Sequence, residues 1–94
     1  MKIIAEIPLI GPDVLVDVPR DGKIVSLKIV GKVPTIFVLV DKLALTEPRR
    51  FVCFPTGADL PDGTTADNYV GSFTFTTEMP SMHVFECSVI ALQG

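Results

Sequence analysis

The dipeptide Gly31-Lys32 stands between two runs of strand-forming residues, Lys23 to Val30 and Val33 to Asp41. Two such runs separated by two residues commit the chain to an antiparallel hairpin. A Gly at the first loop position predicts a type II′ turn, because that position needs positive φ. The short loop sets the register: Val30 opposite Val33, Lys28 opposite Thr35, Ser26 opposite Phe37 and Val25 opposite Val38. Pro34 then falls opposite Ile29 in a non-hydrogen-bonded pair, where its missing N–H does no harm. It also predicts that no further strand pairs on the outer side at that point.

Cross-strand partners share a face of the sheet. One face of this hairpin carries Val25, Leu27, Ile29, Ile36, Val38 and Val40 and is assigned to the core. Full burial of each such side chain is worth about 1.5–3 kcal/mol. The other face carries Ile24, Ser26, Lys28, Thr35, Phe37 and Leu39. The gathering of Ile24, Phe37 and Leu39 predicts a further layer or a second subunit over them. The register requires Leu27 and Val38 on the same face.

Before this hairpin, Met1 to Pro8 reads as a strand with Ile3, Ala5 and Ile7 on one face, and Val14, Val16 and Val18 alternate in a second strand ending at Pro19. Gly11-Pro12-Asp13 and Arg20-Asp21-Gly22 are turn signals. After it, Asp41 to Pro48 reads as a connection, with room for one helical turn at Lys42 to Leu45, and Arg49 to Phe54 as a fifth strand. The stretch from Pro55 to Asn68 loses the apolar pattern and is the longest loop. Loops of that length in small domains carry function or move. A closing hairpin runs from Tyr69 to Glu86, linked by Thr77 to Pro80, and Ser88 to Gly94 extends its second strand. This hairpin holds the only Tyr and the only His, and the earlier strands are expected to pack against it. About seven short, mostly antiparallel strands without a helix of normal length predict one all-β domain over residues 1–94, a small sandwich or open barrel.

Composition enters where assembly and compartment are at issue. The chain is 48% hydrophobic with mean hydropathy +0.49. That is much apolar surface for a small domain to hide, and it points to a homo-oligomer. Strand-rich composition is the competing explanation, since Val and Ile form strands with or without a partner. The net charge is −3 and the eight Lys and Arg form no long run, which argues against nucleic acid as a partner. The longest apolar run, Ile36 to Val40, falls far short of the about 20 residues of a spanning helix, and no signal-peptide pattern is seen. Cys53 and Cys87 read as reduced thiols in a cytoplasmic protein, with a disulfide between them as the minor alternative.

The sequence presents no catalytic constellation, phosphate-binding loop, zinc spacing or cofactor fingerprint. His83 is read first as a hydrogen-bonded structural residue, because a general base needs an orienting partner. Cys87, four residues along the same strand, lies about 13 Å from it. Asp59, Asp62 and Asp67 read as solvated loop acids rather than metal ligands. Arg49 and Arg50 open the strand that leads into Thr56-Gly57. An Arg beside the backbone amides of that turn can hold a phosphate or carboxylate, although adjacent strand residues face opposite ways and only one can enter a given pocket. The candidate ligand-binding set is therefore Arg49, Arg50, Thr56, Gly57, Asp59 and His83, with no catalytic residue, metal or cofactor assigned.

The segments Val18-Pro19, Gly22 to Val25, Val38 to Asp41, Arg49-Arg50-Phe51, Thr56-Gly57, Tyr69 to Phe73 and His83 to Glu86, in that order, resemble a family of small proteins encoded mainly by bacterial viruses. The family pattern has an aromatic where Phe37 stands and Gly-Thr-Gly-His in the region of Pro55 to Ala58. Here Pro55 replaces the first Gly and Ala58 the His. The family carries no established activity. Small size, acidic charge, scarcity of helix and the lack of a catalytic motif, in a chain that resembles phage proteins, give the expectation of a phage-type binding protein that interferes with a host process, by occupying a host protein or by sequestering a small anionic ligand. A structural or assembly accessory of a virion is the alternative.

Overall fold

A computed structural model of the chain describes residues 1–89. Its seven strands are β1 (Lys2–Pro8), β2 (Asp13–Pro19), β3 (Lys23–Val30), β4 (Val33–Asp41), β5 (Thr46–Pro55), β6 (Tyr69–Phe73) and β7 (Met82–Cys87), with one 3-10 turn at Ala66–Asn68. They form two antiparallel sheets, ordered β1-β4-β3 and β2-β5-β7-β6. The sheets pack face to face and neither closes into a barrel, so the architecture is a small sandwich.

The β3–β4 hairpin has the expected register from Val30↔Val33 to Ser26↔Phe37. The turn itself differs: Gly31 has φ +55° and Lys32 φ +70°, so both loop residues are left-handed and the turn is type I′. Both turn types use two residues, and the register is indifferent to the choice. Leu27 and Val38 do pack into the same core. The β1 ladder on β4 stops at Pro8↔Thr35, but against the expectation the chain still meets Pro34 on its outer side: the Leu9 N–H donates to the Pro34 carbonyl at 2.8 Å, which needs no N–H from Pro34.

Beyond Ser26 the expectation fails. A bulge between Ile24 and Ser26 puts Ile24, not Val25, opposite Val38. The extra residue reverses the facing of everything before it. Ile24 therefore packs on the core and Val25 is 55% exposed. Phe37 and Leu39 remain half-buried on the outer face, with the Lys28 ammonium 5.9 Å from the Phe37 ring centroid.

β1 and β2 show the faces read from sequence: Ala5, Ile7, Val14, Val16 and Val18 all meet the core. β5 starts three residues earlier than the sequence suggests, at Thr46, and runs through Pro48. Pro48 is opposite Asp17, and its ring nitrogen faces the β7 side, where the ladder begins only at Arg50↔Cys87. No strand partner there lacks a donor. Residues 42–44 form a turn rather than a helical one, and Leu43 and Leu45 stay exposed.

The earlier strands do pack against the closing hairpin, β5 beside β7 and β3 across from β6. β6 is a five-residue edge strand, and the link to β7 spans residues 74–81. The fully buried centre joins Val84 of β7 to Ile36 and Val38 of β4, Phe51 of β5 and Val18 of β2. Gly71 of β6 lets the other sheet come close: a Cβ there would sit 3.2 Å from Leu27 Cδ2 of β3. β7 ends at Cys87, and residues 90–94 of the expected extension lie outside those described. Cys53 faces inward with Val84, while Cys87 is on the opposite face with Arg50, so the two thiols are free and cannot bridge.

Candidate functional site

The two arginines of β5 part ways as strand alternation demands. Arg49 turns inward at the edge of the sandwich. Its Nε and one Nη donate to the two Glu86 carboxylate oxygens at 2.7 and 2.6 Å, and its other Nη donates to the Gly22 carbonyl at 2.8 Å. These charge-assisted bonds to Glu86 outweigh burial, which acts the other way, and hold the guanidinium above its ordinary pKa. Arg49 is thus a tie between β5, β7 and the turn before β3, with one donor on each of its three nitrogens engaged. Arg50 turns outward and donates from Nε and one Nη to Asp13 at 2.9 and 2.7 Å. The hydrogen bond from Arg50 lowers the Asp13 carboxyl below its usual range.

Thr56 and Gly57 lie at the opposite end of β5. At strand rise, six residues separate Arg50 from Thr56 by about 20 Å. The anion site read from sequence therefore does not assemble. Asp59 is exposed in the loop and lines neither of the clefts described next. Asp62 does border the Arg50 cleft, and with Asp13 and Glu86 it makes that end electrostatically poor for an anion.

What the structure does assemble is a trough on the outer face of the four-stranded sheet. Register places Val52 and Phe54 of β5, His83 and Phe85 of β7, and Tyr69 of β6 on that face. The outer face of a two-layer sandwich ordinarily meets water. Here the loop of residues 56–68 folds back over it, and Phe85 is only 9% exposed. Phe85 packs edge-on against Phe54 and Tyr69, with ring centroids 6.0 and 5.3 Å away. A cleft of about 200 Å³ at the Arg50 end and one of about 190 Å³ at the His83 end share Phe54 and Phe85. The loop is tied down by the Thr56 N–H donating to the Ser81 carbonyl at 2.9 Å and by Asn68 Nδ2 donating to the Glu86 carbonyl at 3.0 Å.

His83 has the partners that sequence did not reveal. Its Nε2 lies 2.6 Å from Thr56 Oγ1 and its Nδ1 3.2 Å from the Tyr69 hydroxyl. Thr56 Oγ1 donates its one proton to the Ser81 carbonyl at 3.2 Å. In the neutral imidazole this arrangement has Thr56 accepting from Nε2–H and Nδ1 accepting the Tyr69 proton. Both ring nitrogens have a partner, which holds the ring in one orientation. Tyr69 was missed in sequence because a bulge between Tyr69 and Gly71 breaks the register count back from Phe73. The signal that would have found it is the pairing Tyr69↔Phe85 across the closing hairpin.

A separate, almost wholly apolar cleft of about 280 Å³ opens at one end of the sandwich, between Leu9, Pro34, Cys53, Phe73 and Met82. Burial pushes the Cys53 thiol pKa up, so this thiol is less reactive than an exposed one. Among the described residues no group of three His, Cys, Asp or Glu side chains is placed to hold a metal ion, and no helix is long and apolar enough to cross a membrane. No curated protein and no solved structure matches the chain. A family pattern does match, over residues 1–91. The chain belongs to the family described as a domain of unknown function, DUF7352.

Proposed function

We propose that this protein is a binding module that sequesters a small ligand carrying a planar ring, in the trough roofed by the 56–68 loop. The observation that carries the reading is the aromatic cluster of Phe54, Tyr69 and Phe85 under a loop on a face that sandwiches usually leave to water. Aromatic walls with a few fixed polar groups suit a flat heterocycle. The Tyr69 hydroxyl, which keeps a lone pair to accept with, and the second Asn68 amide N–H supply those polar groups. A phage-encoded protein acting in the host cytoplasm, as expected from the resemblance, would use such a site to hold the base of a nucleoside or nucleotide, with any phosphate left outside the acidic Arg50 end.

Titration calorimetry with adenosine, adenosine monophosphate and cyclic dinucleotides tests the reading. A heat of binding that Tyr69→Ala weakens at least tenfold, and that Arg49→Lys leaves in place, supports it. No heat with any of these compounds overturns the nucleobase reading.

A further inference from the structure

We propose that two copies of this chain join edge to edge through β1, in antiparallel register about a two-fold axis at Ile4. β1 is an edge strand without a bulge, pairing continuously with β4 from Lys2↔Asp41 to Pro8↔Thr35. The Leu9 N–H donates to the Pro34 carbonyl at 2.8 Å, and the Lys42 N–H donates to the Met1 carbonyl at 2.9 Å. These bonds flank the Pro8↔Thr35 and Lys2↔Asp41 pairs, which makes both pairs non-hydrogen-bonded. By alternation, the N–H and C=O groups of Lys2, Ile4 and Glu6 point away from β4, to the free edge. Pro8 has no N–H to offer and closes that edge.

The three outward residues are spaced symmetrically about Ile4. A second β1 laid antiparallel sets Ile4 against the partner's Ile4, Lys2 against the partner's Glu6, and Glu6 against the partner's Lys2. All three pairings are of the hydrogen-bonded kind, so each outward N–H meets an outward C=O. Each copy contributes one cation and one carboxylate to two cross-strand ion pairs. Neither Lys2 nor Glu6 has an ion-pair partner among the described residues. The same register lays Ile3, 42% exposed, against the partner's Ala5 on the core side, and joins Ile4, 52% exposed, to its copy beside Leu39. The remaining edges lack this match: β3 is bulged and carries Lys23 and Lys28, β6 is short and bulged, and β2 carries Asp13 and Asp17. Occupation of β1 leaves the trough on the other sheet open.

Sedimentation velocity of the full chain over a range of concentrations at low salt tests this, with Lys2→Glu and Glu6→Lys as variants. The wild-type chain is expected to show a concentration-dependent dimer. Each variant alone places like charges opposite each other and should weaken dimerisation at least tenfold. Mixed in equal amounts, the two variants restore complementary charge and should form a heterodimer. Amide exchange gives an independent reading: the Ile4 and Glu6 N–H groups gain protection on dimerisation and the Leu15 N–H does not. A wild-type chain that stays monomeric at every concentration, a dimer indifferent to either substitution, or variants that fail to associate on mixing would each overturn the proposal.

Discussion

β1 and β2 are near copies with opposite tasks. Each has seven residues and ends in Pro, and each lies at the edge of its sheet. Lys2, Ile4 and Glu6 of β1 correspond in position to Asp13, Leu15 and Asp17 of β2. Their hydrogen-bond phase is also the same. The Cys53 N–H donates to the Pro12 carbonyl and the Arg20 N–H to the Leu45 carbonyl, which turns Asp13, Leu15 and Asp17 outward. The difference lies in charge and in depth. On β2, self-pairing about Leu15 would set carboxylate against carboxylate, a protection of the edge by like charge. On its inner side β2 sends Val14, Val16 and Val18 into the core, whereas β1 sends the smaller Ala5 with Ile7. The comparison teaches that an edge is made sticky or inert by two outward side chains, with the backbone unchanged.

The largest expected effect comes from erasing the difference in charge. Asp17→Lys gives β2 the same self-complementary pattern as β1. Two self-complementary edges on different sheets join copies into a chain unless their two-fold axes meet at a closing angle, so assemblies larger than a dimer are expected. Sedimentation velocity should show species that grow with concentration; a variant that stays at the wild-type mass breaks the comparison. The next effect separates the strands by depth. Val18 is fully buried, and Val18→Ala should cost about 2–3 kcal/mol in chemical denaturation. Ile4→Ala, measured at concentrations where the chain is monomeric, should cost about 0.5 kcal/mol or less. Equal costs would mean that β1 is as much a core strand as β2.

How far this was visible in the sequence follows the same division. The alternation of β1 and β2 was legible because charged residues mark their outer faces. The β3–β4 register was legible because a two-residue loop leaves no slack. The Ile24 bulge was not: Ile24 and Val25 are both apolar and β-branched, so alternation cannot say which one turns inward. Thr46 to Pro48 escaped notice because Pro48 reads as a strand terminator unless the neighbouring strand is known to stop at Cys87. The candidate site was legible only in part. Thr56 and His83 come together, but Arg49 and Arg50 are drawn into Glu86 and Asp13, partners 37 residues away in each case. Pairings of that range have no local signal.

The smallest effect concerns pH. Asp13 is held below its usual pKa by the hydrogen bond from Arg50, so its stabilising contribution is present above the ordinary carboxyl range and is lost as pH falls through the lowered value. Asp13 is half exposed, which screens the interaction and keeps the effect modest. Asp13→Asn should therefore lower the melting temperature slightly at neutral pH and leave it unchanged in strong acid. A loss that persists in acid would show that the carboxylate charge is not what fastens β2 to β5.

The 56–68 loop is fastened at both ends to one stretch of chain, at Ser81 and at Glu86. Its ends stay put whatever lies between them. Once such a loop is closed, doubling its length costs only about 0.6 kcal/mol in closure entropy. The roof of the trough can therefore be lengthened, shortened or rewritten between Gly57 and Thr65 almost independently of the sandwich beneath. Diversification among relatives should concentrate there, with one scaffold accommodating cargo of different size.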